Sequence, residues 1–268
     1  MPREAEEKQL VYEKVDPNDA QQIEVASYCE REGFGTGLDP QELPPILQFL
    51  AKNGHVSLQY AAEDGQRVPT GVMELIPLTK ALKYRPGNIN HGEYDLSIFP
   101  FHIIMENQQR VFMDARRFAQ DKDIIYHHRI AMSRKGGGYG TLLMRHVLET
   151  SYVKNRVMIC FIDAAEIDEK SGELSLAPNE DSFTVHLRAG FVLAGVIDPP
   201  VYDQSLAYYC FIRSENIKFV KGQEILFNLA NRSPAKVLQG VKQLVGCGYV
   251  GTGYAKSTKN MRFVLTDR

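Results

Sequence analysis

The chain has 268 residues, 44% of them hydrophobic and 24% charged, with a formal net charge of −2 at pH 7. These are ordinary proportions for a soluble globular protein, and the near-neutral balance argues against nucleic acid as a partner, because phosphate-neutralising surfaces run basic. No apolar run approaches the roughly 18 residues of a membrane span, and the charged opening Met1-Pro-Arg-Glu-Ala-Glu-Glu-Lys8 has no apolar signal core, so a cytoplasmic protein without a membrane span is expected. Cys29, Cys160, Cys210 and Cys247 form no Cys-x-x-Cys pair. Cys160 and Cys210 lie in apolar, strand-like runs and read as buried small hydrophobes in a reducing compartment.

Residues 1–9 read as a disordered, charged leader. A strand is predicted over 10–15, and Asp16-Pro17-Asn18-Asp19-Ala20 is a helix-start signal leading into a helix over 20–32. A turn at 33–37 precedes a second helix over 40–53, with Pro44 and Pro45 in its first turns and Gly54 closing it. Strands over 55–62 and 69–77 are joined by Glu63-Asp64-Gly65-Gln66, a hairpin signal. Within Gly71-Val72-Met73-Glu74-Leu75-Ile76 the charged Glu74 stands among apolar neighbours, which makes it either outward-facing or functional. The stretch 79–122 is longer than a hairpin connection, with a loop-like 84–94, a strand-like 98–105 and a helical 111–119. A connection of that length in a compact domain is usually functional, and it is read as an insert that would cover a substrate or partner.

The most informative segment begins at Arg129. Ile130, Ala131 and Met132 end an apolar strand, Gly136, Gly137, Gly138 and Gly140 follow, and Leu142, Leu143, Val147 and Leu148 recur at helical spacing. Glycines between a strand and a helix let backbone N–H groups approach an anion, and the helix start adds unpaired donors and a positive dipole end. Arg134 and Lys135 put positive charge at the rim. The order Lys-Gly-Gly-Gly-Tyr-Gly-Thr is not that of a Walker A loop, and a dinucleotide frame begun at Gly138 would place Leu142 or Leu143 where a third glycine belongs. What fits is basic-x-x-Gly-x-Gly over Lys135-Gly136-Gly137-Gly138-Tyr139-Gly140. Just before it, His127 and His128 alternate to opposite faces of the strand, so at most one faces a cleft.

A strand over 157–162 follows, ending next to Asp163. Asn179-Glu180-Asp181-Ser182-Phe183-Thr184-Val185-His186-Leu187-Arg188-Ala189-Gly190-Phe191 then reads as a short helix. Asn179 is its N-cap after Pro178, two acidic residues stand at the positive end of the dipole, and Gly190 occupies C′. Beyond Arg213 a strand over 217–229 precedes Ser233-Pro234, an N-cap with proline at N1. Val237, Leu238, Val241, Leu244 and Val245 then form a helical stripe. Gly246-Cys-Gly248-Tyr-Val-Gly251 is formally Gly-x-Gly-x-x-Gly, but it joins a helix to a strand, the reverse of a dinucleotide site. A strand over 262–265 ends the pattern.

The glycine loop and the later Asn179–Phe191 segment, in that order around a strand, resemble the two cofactor motifs of the Gcn5-related N-acetyltransferase (GNAT) superfamily. The resemblance covers 10–80 loosely and 124–214 well. It implies an α/β (α+β) fold with a mixed, mostly antiparallel central sheet flanked by helices, in one acyltransferase domain over 10–214. Residues 215–268 are then an extension, either docked or serving as a dimerisation arm of a homodimer. It also implies acetyl-CoA, or another acyl-CoA, as co-substrate, direct transfer to a primary amine of a small molecule or protein, and no metal. Ile130, Ala131 and Met132 would pair with the pantetheine arm; Arg134 to Thr141 would hold the pyrophosphate; Asn179 and Ser182 would contact the cofactor. Two other readings stay open: a GNAT-fold protein that binds CoA or a partner without turnover, and an acyltransferase that takes acyl-carrier protein or longer chains.

The chemistry sets its own demands. An alkyl ammonium is only about 0.1% neutral at pH 7, a deficit of roughly 4 kcal/mol that a base or desolvation must offset. Glu74, then His128, then Asp163 are the candidate bases. His186 stands where many members of the family carry a tyrosine and is a candidate acid for the departing thiolate, with Tyr202, Tyr208 and Tyr209 as alternatives.

Overall fold

A computed structural model describes residues 9–34, 41, 43–81, 124–163, 166–167, 174–175, 180–197, 208–213, 215, 217–230 and 232–267. The described residues fall into two units. One comprises 9–81 and 127–154, the other 124–126 and 155–267.

The first unit begins with β1 (Leu10–Lys14), α1 (Ala20–Phe34) and α2 (Leu43–Asn53). Asp19 caps α1 from within the expected start signal: its Oδ1 accepts the N–H groups of Gln21 and Gln22 at 2.9 and 3.1 Å. Pro44 and Pro45 lie in the first turn of α2, where a missing N–H deprives the helix of no internal hydrogen bond. The hairpin β2 (His55–Glu63) and β3 (Gln66–Pro77) closes through Asp64 and Gly65, with φ of 50° and 77°. Two successive left-handed residues are the signature of a type I′ turn, which matches the twist of the strands it joins. The one-turn α3 (Leu78–Ala81), β4 (Ile124–Ala131) and α4 (Tyr139–Glu149) complete this part of the chain.

The strand order is β1-β2-β3-β4, with β1–β2 and β2–β3 antiparallel. β2 and β3 are buried over most of their length, and α1 and α2 set apolar stripes against them through Ile23, Ala26, Leu47 and Leu50. Gly33 near the end of α1 fixes the end of β4: a Cβ there would stand 2.9 Å from the backbone nitrogen of Met132, so the helix can approach the strand this closely only through glycine.

In the second unit, residues 124–126 of β4 pair in parallel with β5 (Val157–Asp163), from Ile124↔Val157 to Tyr126↔Ile159. Beyond β5 come the small hairpin β6 (Glu166–Ile167) and β7 (Leu174–Ser175), then α5 (Glu180–Arg188), β8 (Val192–Ile197) and β9 (Tyr208–Arg213). The C-terminal stretch adds β10 (Phe219–Asn228), α6 (Pro234–Gly246), β11 (Tyr249–Ala255) and β12 (Asn260–Thr266). The strand order is β5-β9-β8-β11-β12-β10, antiparallel throughout. Strand β11 joins β8 at Gly251↔Leu193, so the C-terminal strands extend the sheet of this unit. The ring of Phe183 on α5 is the pivot of an aromatic core, edge-on to Tyr209, Phe211 and Tyr254 at centroid distances of 5.3, 4.9 and 5.8 Å.

The architecture is therefore the expected one: mixed α/β, mostly antiparallel, with helices against the sheet. Ser233 occupies the N-cap of α6 with Pro234 at N1, but its side chain makes no capping hydrogen bond. The formal Gly246–Gly251 motif is the turn from α6 into β11, with Gly248 at φ 94°. The leader over 1–8, most of the 79–122 insert with its expected strand and helix, and the expected turn at 35–37 lie outside the described residues. Among the described residues no helix is long and apolar enough to cross a membrane.

Candidate active site

The glycine loop lies in the first unit, between β4 and α4. Gly136, Gly137 and Gly138 have φ of 82°, 61° and 75°, three left-handed residues in succession where any Cβ would strain the backbone. Gly138 is also the N-cap of α4 and offers no side-chain cap, while its carbonyl accepts the first helical hydrogen bond from Leu142 at 3.1 Å. The first-turn N–H groups of Gly140 and Thr141 therefore have no intrahelical acceptor. Among the described residues, a Cβ at Gly136 or Gly138 would meet nothing within 4 Å. Sterics within the protein do not demand glycine here; backbone conformation does, and it leaves the space beside the loop open.

The loop is anchored from behind. The Tyr139 side chain is buried and its carbonyl accepts from Gln59 Nε2 at 3.3 Å, while Gln59 Oε1 accepts from Thr70 Oγ1 at 2.9 Å. Ser133 Oγ donates to the Pro69 carbonyl at 2.8 Å, and the Arg134 N–H to that of Thr70 at 3.4 Å. These bonds fix the end of β4 against β3, so Ile130, Ala131 and Met132 run into the loop on a rigid strand. Arg134 is ion-paired with Glu63, whereas Lys135 at the loop's rim is exposed.

Glu74 and His128, the first two candidate bases, come together. Both are buried, and His128 Nε2 lies 3.8 Å from Glu74 Oε2. Burial disfavours the charged form of each, and so raises the Glu74 carboxyl well above the glutamate range and holds His128 well below the usual imidazole value. Two further groups complete the cluster. Glu30 on α1 is fully buried, and its Oε2 accepts from Arg129 Nη1 at 3.1 Å. Neither was singled out from the sequence. The signal for Glu30 was present, however: it occupies i+7 of the buried stripe Ile23, Ala26, Ser27, where an unpaired glutamate would be costly. On the other face of β4, His127 Nε2 donates to the Arg129 carbonyl at 3.0 Å.

His186 lies in the second unit and has a structural position. The Gly190 N–H bonds to the Leu187 carbonyl at 3.1 Å and the Phe191 N–H to that of His186 at 3.0 Å, the paired bonds of a Schellman motif with Gly190 at φ 84°. The His186 ring packs edge-on to Phe191 at 5.2 Å, the side-chain contact that accompanies such a terminus. Its Nδ1–H donates to the Ser182 carbonyl at 2.7 Å, and burial lowers its pKa to about 4, so the ring is neutral at pH 7. The Tyr209 phenol is pushed up by burial. Asn179 and Tyr202 lie outside the described residues, and of Asp163 and Tyr208 only the backbone is described.

No protein-family model matches the chain, and no curated protein does. Similar solved structures include an acetyltransferase of the GNAT family from Streptococcus pneumoniae, at 13% identity over 76% of this chain and 98% of that one, with a TM-score of 0.40. Another is the histone acetyltransferase HPA2 and related acetyltransferase from Corynebacterium glutamicum (12%, 76% and 96%, TM-score 0.39). A third is the aminoglycoside 6'-N-acetyltransferase from Enterococcus faecium (12%, 76% and 96%, TM-score 0.41). At these values the likeness concerns the course of the chain and says nothing about its chemistry.

Proposed function

We propose that this chain is an acyl-CoA-dependent N-acyltransferase, with acetyl-CoA as donor and a primary amine as acceptor. The observation that carries the reading is the loop: three successive left-handed glycines open into a helix start with no side-chain cap, beside an exposed lysine. Backbone donors converging on open space at the positive end of a helix are the physical requirements of a pyrophosphate site. Residues 134–141 would hold the pyrophosphate, and the backbone of Ile130, Ala131 and Met132 at the end of β4 would pair with the pantetheine arm. The donor supplies an activated thioester, so the protein has only to position the amine and remove its proton. Glu74, with His128 beside it, is the group assigned to that proton. A carboxyl whose pKa burial has raised is a stronger base than an ordinary glutamate, which suits it to an ammonium.

His186 is assigned a packing role, because its Nδ1–H is given to the Ser182 carbonyl and its ring closes the α5 terminus. The test is thiol release from acetyl-CoA against a panel of small amines and lysine peptides. Amine-dependent release is expected, and its loss in Glu74→Gln with acetyl-CoA affinity retained would assign the base. A second reading, a CoA-binding protein without turnover, is favoured by one observation: Glu74, His128 and His186 are all buried. Tight acetyl-CoA binding with no thiol release from any amine would decide for it.

A further inference from the structure

The cluster around Glu74 holds two carboxyls where a single base would suffice. Glu30 from α1 and Glu74 from β3 are within hydrogen-bonding reach of each other, both fully shielded from water. Among the described residues neither Glu30 Oε1 nor Glu74 Oε1 has a hydrogen-bond donor. Two carboxylates cannot bond to each other; one of them must carry the proton. Charge leads to the same result. Among the described residues the ionisable groups facing Glu74 are Glu30 from α1 and His128 and Arg129 from β4, while its partner across β2 is Val56 and the buried face of α2 is apolar. His128 is neutral, so the single guanidinium balances one carboxylate, and a second would be an uncompensated buried charge.

Geometry decides which carboxyl is ionised. Glu30 Oε2 takes Arg129 Nη1 at 3.1 Å, and the Arg129 guanidinium rests over the Phe34 ring at 5.3 Å, which holds it in place. Glu74 has the neutral imidazole of His128 at 3.8 Å, and among the described residues no ion pair with a guanidinium is seen for it.

We propose that Glu30, anchored on Arg129, is a positioning residue that lodges a single proton between its own carboxyl and that of Glu74, making the pair rather than Glu74 alone the acceptor of the amine proton. The first part stands on the cluster itself; the second rests on the acyltransferase reading. In the transfer, the pair first gives up its shared proton to solvent, at the higher pH its raised affinity demands. It then takes one proton from the ammonium, so that the freed nitrogen lone pair attacks the thioester carbonyl. The C–S bond then breaks, and the thiolate leaves with the second nitrogen proton. The pair titrates as a unit, and its last proton leaves at a higher pH than that of a lone glutamate.

The test uses the full chain, first without any acyl donor. Side-chain carboxyl ¹³C resonances are followed against pH in the wild type, Glu30→Gln and Glu74→Gln. In the wild type one glutamate is expected to keep its proton well above the free-glutamate range of about 4.3. Glu74→Gln, a neutral isostere of the protonated form, should remove that signal. Glu30→Gln should lower it part of the way, because the neighbouring carboxylate is gone and Arg129 no longer binds it, while burial still holds Glu74 above the ordinary range.

In the presence of acetyl-CoA and an amine, Glu30→Gln should move the acid limb of the kcat/KM profile to lower pH and lower the plateau about tenfold. The KM for acetyl-CoA should not change. A wild type in which every glutamate titrates normally would overturn the proposal, as would a Glu30→Gln variant whose high signal stays in place. A resonance that behaves as expected in a protein with no thiol release would overturn the acyltransferase reading and the catalytic part that rests on it, and would leave the shared proton standing.

Discussion

Replacing Gly138 by alanine separates a turn from a cradle. At φ 75° an alanine pays the left-handed penalty of roughly 1–2 kcal/mol, offset by about 0.5 kcal/mol from the less flexible unfolded chain. No clash adds to this, since a Cβ there meets nothing within 4 Å. The net loss is about 1 kcal/mol, which for a chain of this size lowers Tm by about 2–4 °C. If the open space beside the loop is where a pyrophosphate sits, that methyl group projects from a loop whose donors must close on the anion. Affinity for acetyl-CoA should then fall at least tenfold, or about 1.4 kcal/mol.

Gly65 provides a matched control. It has φ 77°, it too has nothing within 4 Å of a Cβ, and it lies in the β2–β3 turn rather than in the loop. Gly65→Ala carries the same backbone cost without the expected effect on binding. The assay is differential scanning calorimetry on both variants alongside calorimetric titration with acetyl-CoA. Equal melting shifts with a binding loss confined to Gly138→Ala are expected. Equal affinities in the two variants would refute the reasoning.

Three further outcomes are expected. His186 is held neutral with a pKa of about 4 against 6.5 in the unfolded chain, so the unfolded state binds the extra proton between these values. Stability should therefore fall as pH drops through that window, by roughly 3 kcal/mol from this group. His186→Phe should flatten urea-melt stability against pH relative to the wild type over pH 6.5 to 4, and an unchanged slope would place His186 in water. His55, also lowered to about 4 by burial, keeps a residual slope in the variant. Lys135→Gln should weaken acetyl-CoA binding several-fold and reduce its salt dependence, because an exposed cation at an anion site acts through screened charge; an unaltered salt slope would remove Lys135 from the site. The same His186→Phe variant should keep most of its thiol-release rate if the ring only packs, whereas a loss of turnover at unchanged affinity would make it the proton donor.

What the sequence made legible was local. The helix start at Asp16–Ala20, the Asp64-Gly65 turn, the glycine loop opening α4 and Gly190 ending α5 are each settled by neighbours within a few residues, and the structure has each of them, with Asp19 as the cap of α1. Helix α2 begins at Leu43 rather than residue 40, which puts both prolines in its first turn. The buried acid pair was only half legible. Glu74 drew notice as a charge in an apolar strand, but what makes it unusual is Glu30, brought beside it by the packing of α1, and Arg129, 99 residues beyond Glu30. No spacing rule connects these positions; the α1–β3–β4 packing does. His186 shows the converse. The motif position suggested an acid, while the contact between the last helical turn and Phe191 gives the ring a structural job that any helix with this terminus could use.

The most direct test of the central claim is calorimetric titration of the protein with acetyl-CoA, with CoA and NADH as comparators. Micromolar binding of acetyl-CoA and CoA with none of NADH is the predicted result, since the proposed function assigns the loop to the pyrophosphate of a pantetheine cofactor and the loop lacks a dinucleotide frame. No binding of acetyl-CoA or CoA would contradict the account, leaving the three left-handed glycines as a turn between β4 and α4.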